Sequence, residues 1–125
     1  MGRRINDVQQ IGLPWIVLER EEILCGYACA VRWNNRAAYR HSVESTIYLA
    51  EDCAGQGLGT TLYTALMGQL NDNGAHAVLA GISLPNEASV ALHEKLGFEK
   101  VAHLREVGHK FDRWVDVGYW QRVLD

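Results

Sequence analysis

Between Ser42 and Gly74 the chain turns from strand character to helix character through Gly55-Gln56-Gly57-Leu58-Gly59, and this junction limits its fold more than any other segment. Ahead of the junction, Ser42 to Leu49 is rich in β-branched and aromatic residues, the composition of a strand. Behind it, Leu58, Leu62, Ala65, Leu66 and Leu70 follow at spacings of four, three, one and four, which aligns them in one helical stripe. Gly74, after Asn71-Asp72-Asn73, ends that stripe. A strand that leads straight into such a helix belongs to an architecture in which helices pack against a sheet.

The remaining segments fill out that architecture. Ile5 to Ile11 carries a short helical pattern that ends near Gly12. Leu13-Pro14 introduces an apolar run of strand length, Trp15 to Leu18, followed by a polar turn at Glu19-Arg20-Glu21-Glu22. Ile23 to Val31 is the partner strand, with Gly26 marking a bulge or a close approach. A polar connection runs from Trp33 to Arg40. Ala77 to Ser83 is a buried strand that Pro85 ends, and Asn86 is placed to cap a helix from Glu87 to Lys95. Leu96-Gly97-Phe98 closes that helix, and strands over Glu99 to Val107 and Trp114 to Val123 follow, joined by a polar connection from Gly108 to Arg113. The predicted order is β-β-β-α-β-α-β-β, an α/β (α+β) class with a mixed central sheet flanked by helices. Its two strand–helix–strand units favour parallel pairing in the middle of the sheet.

Composition narrows the partners. The 125 residues suit one domain spanning 1–125, and 48% apolar with 22% charged residues describes a soluble globular chain. A formal charge of −3 provides no general attraction to nucleic acid or anionic lipid. No apolar stretch approaches the roughly 20 residues that cross a bilayer. Met1-Gly2-Arg3-Arg4-Ile5 has no apolar segment behind its basic residues, so no secretory signal and a cytoplasmic location are expected. Cys25, Cys29 and Cys53 read as small core residues in a reducing compartment, and no His/Cys cluster has metal-ligand spacing.

The glycine-rich junction has chemistry of its own. The first N–H groups of a helix lack internal partners and sit at the positive end of its dipole, and glycines let an anion approach them. A diphosphate fits such a nest. A plain tight turn is the competing reading of Gly55 to Gly59. A dinucleotide loop needs G-x-G-x-x-G and a P-loop needs a Gly-Lys pair, and neither is present.

Gly55 to Gly59 resembles the core of the Q/R-x-x-G-x-G/A pattern of the GNAT acetyltransferases. Asn86-Glu87-Ala88-Ser89, with Leu92-His93-Glu94-Lys95-Leu96-Gly97-Phe98, is similar to that family's second signature, N-x-x-A/S followed by a helix ending in LGF. Val43-Glu44-Ser45, Ala80-Gly81-Ile82, Leu92-His93-Glu94 and the run from Val107 to Val117 resemble the phosphinothricin and methionine sulfoximine N-acetyltransferase subgroup. The resemblance extends from Leu13 onward.

It implies acetyl-CoA as cosubstrate and a small amino-acid-like amine as acceptor. Cofactor contacts are expected at Thr46, Ile47 and Tyr48 in the strand, at Ala54, Gly55, Gln56, Gly57, Leu58, Gly59 and Thr60 in the loop and helix start, and at Asn86 and Ser89. A backbone N–H near Ile47 or Tyr48 would polarise the thioester oxygen, where the family splays two parallel strands. Glu44 stands where the subgroup has its general base; taken alone, it reads as a solvent-facing strand residue or a buried ion-pair partner. His93 stands where many members have a tyrosine, and would donate a proton to the leaving thiolate or bond its sulfur; a structural helix histidine is the alternative. Trp33, Arg36, Tyr39, Arg40, Ser45 and Lys110 are the acceptor-site candidates, the arginines because guanidinium pairs with carboxylate or phosphinate.

Two departures from the family stand out. Ala54 replaces the usual Arg or Gln, which removes one phosphate contact that Gln56 partly replaces. The family's first strand and two helices are missing, so the chain reads as N-terminally shortened, and a homodimer is expected to cover the apolar surface left open. An acyl-CoA-binding module without turnover, and an enzyme with a different amine acceptor, are the competing functions.

Overall fold

The computed structural model describes residues 3–7, 13–53 and 57–124. Four strands come first: β1 (Arg3–Asp7), β2 (Trp15–Arg20), β3 (Ile23–Arg32) and β4 (Ser42–Leu49). Helix α1 (Leu58–Asp72), strand β5 (Ala77–Leu84), helix α2 (Glu87–Lys95) and strands β6 (Glu99–Lys110) and β7 (Arg113–Val123) follow, with 3₁₀ turns at Ala37–Tyr39 and Glu51–Cys53. All these strands join one sheet in the order β1-β2-β3-β4-β5-β7-β6. No helix among the described residues is long and apolar enough to cross a membrane.

Strand alternation sends successive side chains to opposite faces, and the two faces differ sharply. Ile16, Leu18, Ala28, Ala30, Val43, Val78, Ala80 and Ile82 line the inner face, buried under Leu58, Leu62, Tyr63, Leu66 and Leu70 of α1. The leucine stripe read from the sequence is this buried side of α1. Helix α2 packs beside α1, where His93 meets Tyr63 edge-on with ring centroids 5.0 Å apart. On the other face Trp15, Tyr27 and Tyr48 form an aromatic row with centroid spacings of 5.7 and 5.6 Å, and Tyr48 is 51% exposed.

Gly26 is both a bulge neighbour and a close approach. Leu18 pairs with Gly26 and Glu19 with Leu24, so Cys25 is the extra residue of a bulge. A Cβ at Gly26 would fall on the Tyr48 carbonyl oxygen, so this crossing of β3 and β4 admits only glycine.

Several expectations are corrected. Arg3–Asp7, within and beside the predicted helical pattern, is strand β1, because its backbone pairs antiparallel with β2 from Arg3↔Arg20 to Asp7↔Ile16. The rest of that pattern, residues 8–12, lies outside the described residues. A strand therefore does precede β2, where none was expected. The first turn is only Glu21-Glu22, and the last only Phe111-Asp112, so β6 continues through Gly108 to Lys110. All four turn residues have positive φ (53°, 66°, 54° and 58°), the twist of a two-residue hairpin that matches its flanking strands. Parallel pairing occurs in one unit, β4 with β5; β7 lies between β5 and β6 and pairs antiparallel with both. Cys25 and Cys53, expected as separate core residues, form a disulfide with Cα atoms 5.7 Å apart, while Cys29 is free and buried.

Candidate active site

The β4–β5 pair opens into a fork. Its rungs are Ser42↔Ala77, Val43↔Val78 and Glu44↔Leu79, after which β4 runs on to Leu49 and β5 to Leu84 without meeting. Each lip is held by its outer neighbour, β4 by β3 up to Gly26↔Leu49 and β5 by β7 up to Leu84↔Asp116. In an antiparallel ladder alternate residues turn their N–H and C=O away from the partner. Residues 45–49, with Thr46, Ile47 and Tyr48 among them, thus present backbone donors and acceptors to the gap.

Helix α1 starts at the same end of the sheet. Its first flanking residue, Gly57, has φ +74°, a left-handed conformation that glycine adopts without strain, and no side chain caps the helix. Thr61 N–H reaches the Gly57 carbonyl at 3.3 Å, so among the described residues the amides left without a partner are those of Leu58, Gly59 and Thr60. Gly59 also lets the helix start sit close: a Cβ there would lie 3.1 Å from Leu49 Cδ1 and 3.3 Å from Leu92 Cδ2. Donors without acceptors at the positive end of a dipole are what a diphosphate requires. Ala54, Gly55 and Gln56 lie outside the described residues.

Glu44 occupies the last rung before the fork, half-buried, on the face away from the helices. Among the described residues its carboxylate has no ion pair or hydrogen bond. Ser45, the next residue, necessarily points the other way; it is 4% exposed and hydrogen-bonds Tyr63 on α1 at 2.5 Å. The structure therefore separates Ser45 from the acceptor face where it was expected.

Trp33, Arg36, Tyr39 and Arg40 are exposed in the β3–β4 connection, with Trp33 and Tyr39 edge-to-face at 5.3 Å. Arg36 N–H donates to Asn34 Oδ1 at 2.9 Å, and Arg40 Nη1 to the Ala37 carbonyl at 2.9 Å. This connection leads into the start of β4, whereas Lys110 stands on the β6–β7 hairpin, which overhangs the far end of β5 beyond Leu84↔Asp116. Strand direction thus places Lys110 at the opposite end of the sheet from Arg36 and Arg40. One chain does not bring them together.

The start of α2 contrasts with that of α1. Asn86 Oδ1 accepts from Ser89 N–H at 3.1 Å, which is the predicted cap. Ser89's carbonyl accepts from His93 Nδ1 at 2.7 Å, and His93 Nε2 lies 2.9 Å from the Tyr63 hydroxyl. His93 is 3% exposed. Burial holds its pKa below the ordinary histidine value, against the opposing pull of the Ser89 carbonyl. Tyr63 has no exposed surface; burial pushes its phenol up, Ser45 opposes that, and Cys29 adds to it. With both ring nitrogens of His93 engaged, neither is turned to the fork. Tyr63 escaped sequence reasoning, although a phenol inside a leucine stripe is a visible signal, since a buried hydroxyl needs a partner.

Residues 4–98 match the model of the Acetyltransferase (GNAT) family. The chain is 43% identical over 123 residues to the phosphinothricin N-acetyltransferase of Streptomyces viridochromogenes, covering 97% of this chain and 67% of that protein. It is 40% identical over 114 residues to the L-amino acid N-acyltransferase MnaT of Escherichia coli K12, covering 91% and 66%. A GNAT superfamily phosphinothricin acetyltransferase from Sinorhizobium meliloti, solved in complex with acetyl-CoA, superposes with a TM-score of 0.86 at 38% identity, covering 90% of this chain and 62% of that one. The chain thus spans about two thirds of the length of the relatives it matches.

Proposed function

The chain belongs to the GNAT acetyltransferase family, and from that premise we propose that it transfers acetyl from acetyl-CoA to the amine of a small amino-acid-like acceptor of the phosphinothricin or methionine sulfoximine type. One observation carries this: a helix start without a side-chain cap and a carboxylate, Glu44, without a partner among the described residues flank the same three-rung fork.

Each step draws on a named group. The amides of Leu58, Gly59 and Thr60 hold the diphosphate, and the fork receives the thioester end. A free α-amine has a pKa of about 8, so its neutral form costs only about 1.4 kcal/mol at pH 7. Glu44 takes that proton through a water, the neutral nitrogen attacks the carbonyl carbon, and a β4 backbone N–H near Ile47 or Tyr48 stabilises the developing oxyanion. As the C–S bond breaks, the attacking nitrogen sheds its second proton to water and the departing thiolate takes one from water. Arg36 and Arg40, unpaired with any carboxylate among the described residues, meet the acceptor's anionic end. The acceptor class comes from the names of the relatives. A second copy of the chain covers the open face around Tyr48, consistent with the exposure of that ring at the end of the aromatic row, and sedimentation as a monomer at micromolar concentration would remove this part.

The test is release of CoA thiol over a panel of amines that includes phosphinothricin and methionine sulfoximine. Turnover of at least one is expected, and Glu44→Gln lowers kcat by roughly 10²-fold or more while acetyl-CoA still binds. Acetyl-CoA binding with no release for any amine would establish the non-catalytic module instead.

A further inference from the structure

The β6–β7 arm carries an amine, an imidazole and a carboxylate in series, away from the fork. Lys100 Nζ lies 2.8 Å from His103 Nδ1, and His103 Nε2 lies 2.7 Å from Asp116 Oδ2. A bulge sets the carboxylate. Leu104 pairs with Val117 and Gly108 with Val115, so Arg105, Glu106 and Val107 all oppose Asp116. Glu106 takes a positive φ of 56° there, and its N–H donates to Asp116 Oδ1 at 2.9 Å. The bond from His103, and then that from Glu106 N–H, hold the Asp116 carboxyl below its usual range, so at neutral pH it only accepts. Nε2 of His103 therefore carries the ring proton. A lysine ammonium only donates, so Nδ1 is the bare nitrogen that faces it. Lys100 Nζ also lies 5.4 Å from the centroid of the Trp120 ring, a second contact that fixes where the amine stands.

We propose that Lys100 is a self-acylation site, at which a free acyl thioester modifies the amine with His103 as base and Asp116 as its positioning residue. A nucleophile bonded to a base that a third group orients is the arrangement that activates side chains for acyl transfer. The ammonium first gives one proton to water; the neutral amine keeps an N–H on His103 and has its lone pair free. That lone pair attacks the thioester carbonyl carbon, an N–C bond forms and the C–S bond breaks. Nitrogen sheds its second proton to His103 Nδ1, and the thiolate takes one from water. The imidazolium then returns its proton to solvent, which reaches it directly, since the His103 side chain is 39% exposed. The products are a neutral amide, a thiol and one released proton. Through Lys100↔Trp120 and Trp120↔Ala80 the modified residue stands in the row just past the last rung of the fork, two strands out from β5.

The chain contains its own controls. It has three lysines, Lys95, Lys100 and Lys110, all exposed, and among the described residues Lys95 and Lys110 have no histidine beside them. The probe is S-acetyl-N-acetylcysteamine, an acetyl thioester with no diphosphate for the start of α1 to hold. Mass spectrometry of the intact chain and its peptides over time should show Lys100 acetylated at least about fivefold faster than either other lysine. Asp116→Asn keeps the shape of the carboxylate, but its amide donates to Nε2 and turns the ring so that Nδ1–H faces Lys100. In that variant and in His103→Gln, Lys100 should slow to within about twofold of Lys95 and Lys110, whose own rates stay unchanged. A purely structural role for the pair would not single out one lysine. Equal rates at the three lysines of the wild type, or an undiminished Lys100 rate in both variants, overturns the proposal. Selective acetylation of Lys100 in a protein inert toward every amine of the panel still establishes the site, so this inference and the acetyltransferase reading fail separately.

Discussion

Helix α1 follows β4 after the 3₁₀ turn Glu51–Cys53, and α2 follows β5 after two residues, and the two helices begin in opposite ways. Helix α2 satisfies its own first turn: Asn86 accepts from Ser89 N–H, and the Ser89 carbonyl anchors His93. Helix α1 starts at a left-handed glycine with no side chain to cap it, and its first amides have no acceptor among the described residues. A missing cap costs a helix roughly 0.5–2 kcal/mol. On the proposed function, the difference separates a helix start kept for a ligand from one that builds the scaffold around it.

The sharpest way to break this contrast is to give α1 its own acceptor. Gly57→Asp places a carboxylate against the free amides, where it competes with and repels a diphosphate. Acetyl-CoA affinity measured by calorimetry should fall by roughly tenfold to a hundredfold, with the folded state retained. Unchanged affinity would mean that the phosphates bind elsewhere. The reciprocal change, Asn86→Ala, opens α2 and should lower unfolding free energy by about 1 kcal/mol in urea titration. Its acetyl-CoA affinity should stay within about twofold of wild type, since on this geometry Asn86 serves its own helix. A larger loss would restore the cofactor contact expected of Asn86.

A smaller effect sharpens the comparison through pH. His93, tied to the first turn of α2, is held below its ordinary pKa mainly by burial. The unfolded chain therefore binds the proton more readily than the folded one. Stability is full above the ordinary histidine value of about 6.5, declines as pH falls through it, and levels off once the folded form also protonates. Urea midpoints measured across this window should show the decline in wild type and a flatter profile in His93→Gln. Identical profiles would contradict the buried neutral ring.

Where local signals sufficed, the sequence was readable to the residue. Ser42–Leu49 and the Asn86-capped helix Glu87–Lys95 lie where composition and capping placed them. Strand β1 was not readable, because Arg3-Arg4-Ile5-Asn6-Asp7 has no strand pattern of its own and becomes a strand by pairing with β2. The insertion of β7 between β5 and β6 is likewise a long-range choice that no local period encodes. At the site, Glu44 and Gly57 stood out as a carboxylate in an apolar strand and a glycine at a helix start. The bonds from Tyr63 to Ser45 and to His93 span 18 and 30 residues, a closeness that exists only after folding.

The shortness of the β4–β5 ladder has a mechanical consequence. The sheet is bound like a book whose two leaves, β1 to β4 and β5 to β6, share a spine of three rungs. Separation along that line breaks fewer backbone bonds than separation between any antiparallel neighbours, so amide exchange should begin there. A molecule lodged between the leaves becomes an extra stitch, and its binding energy adds directly to the work of prising them apart.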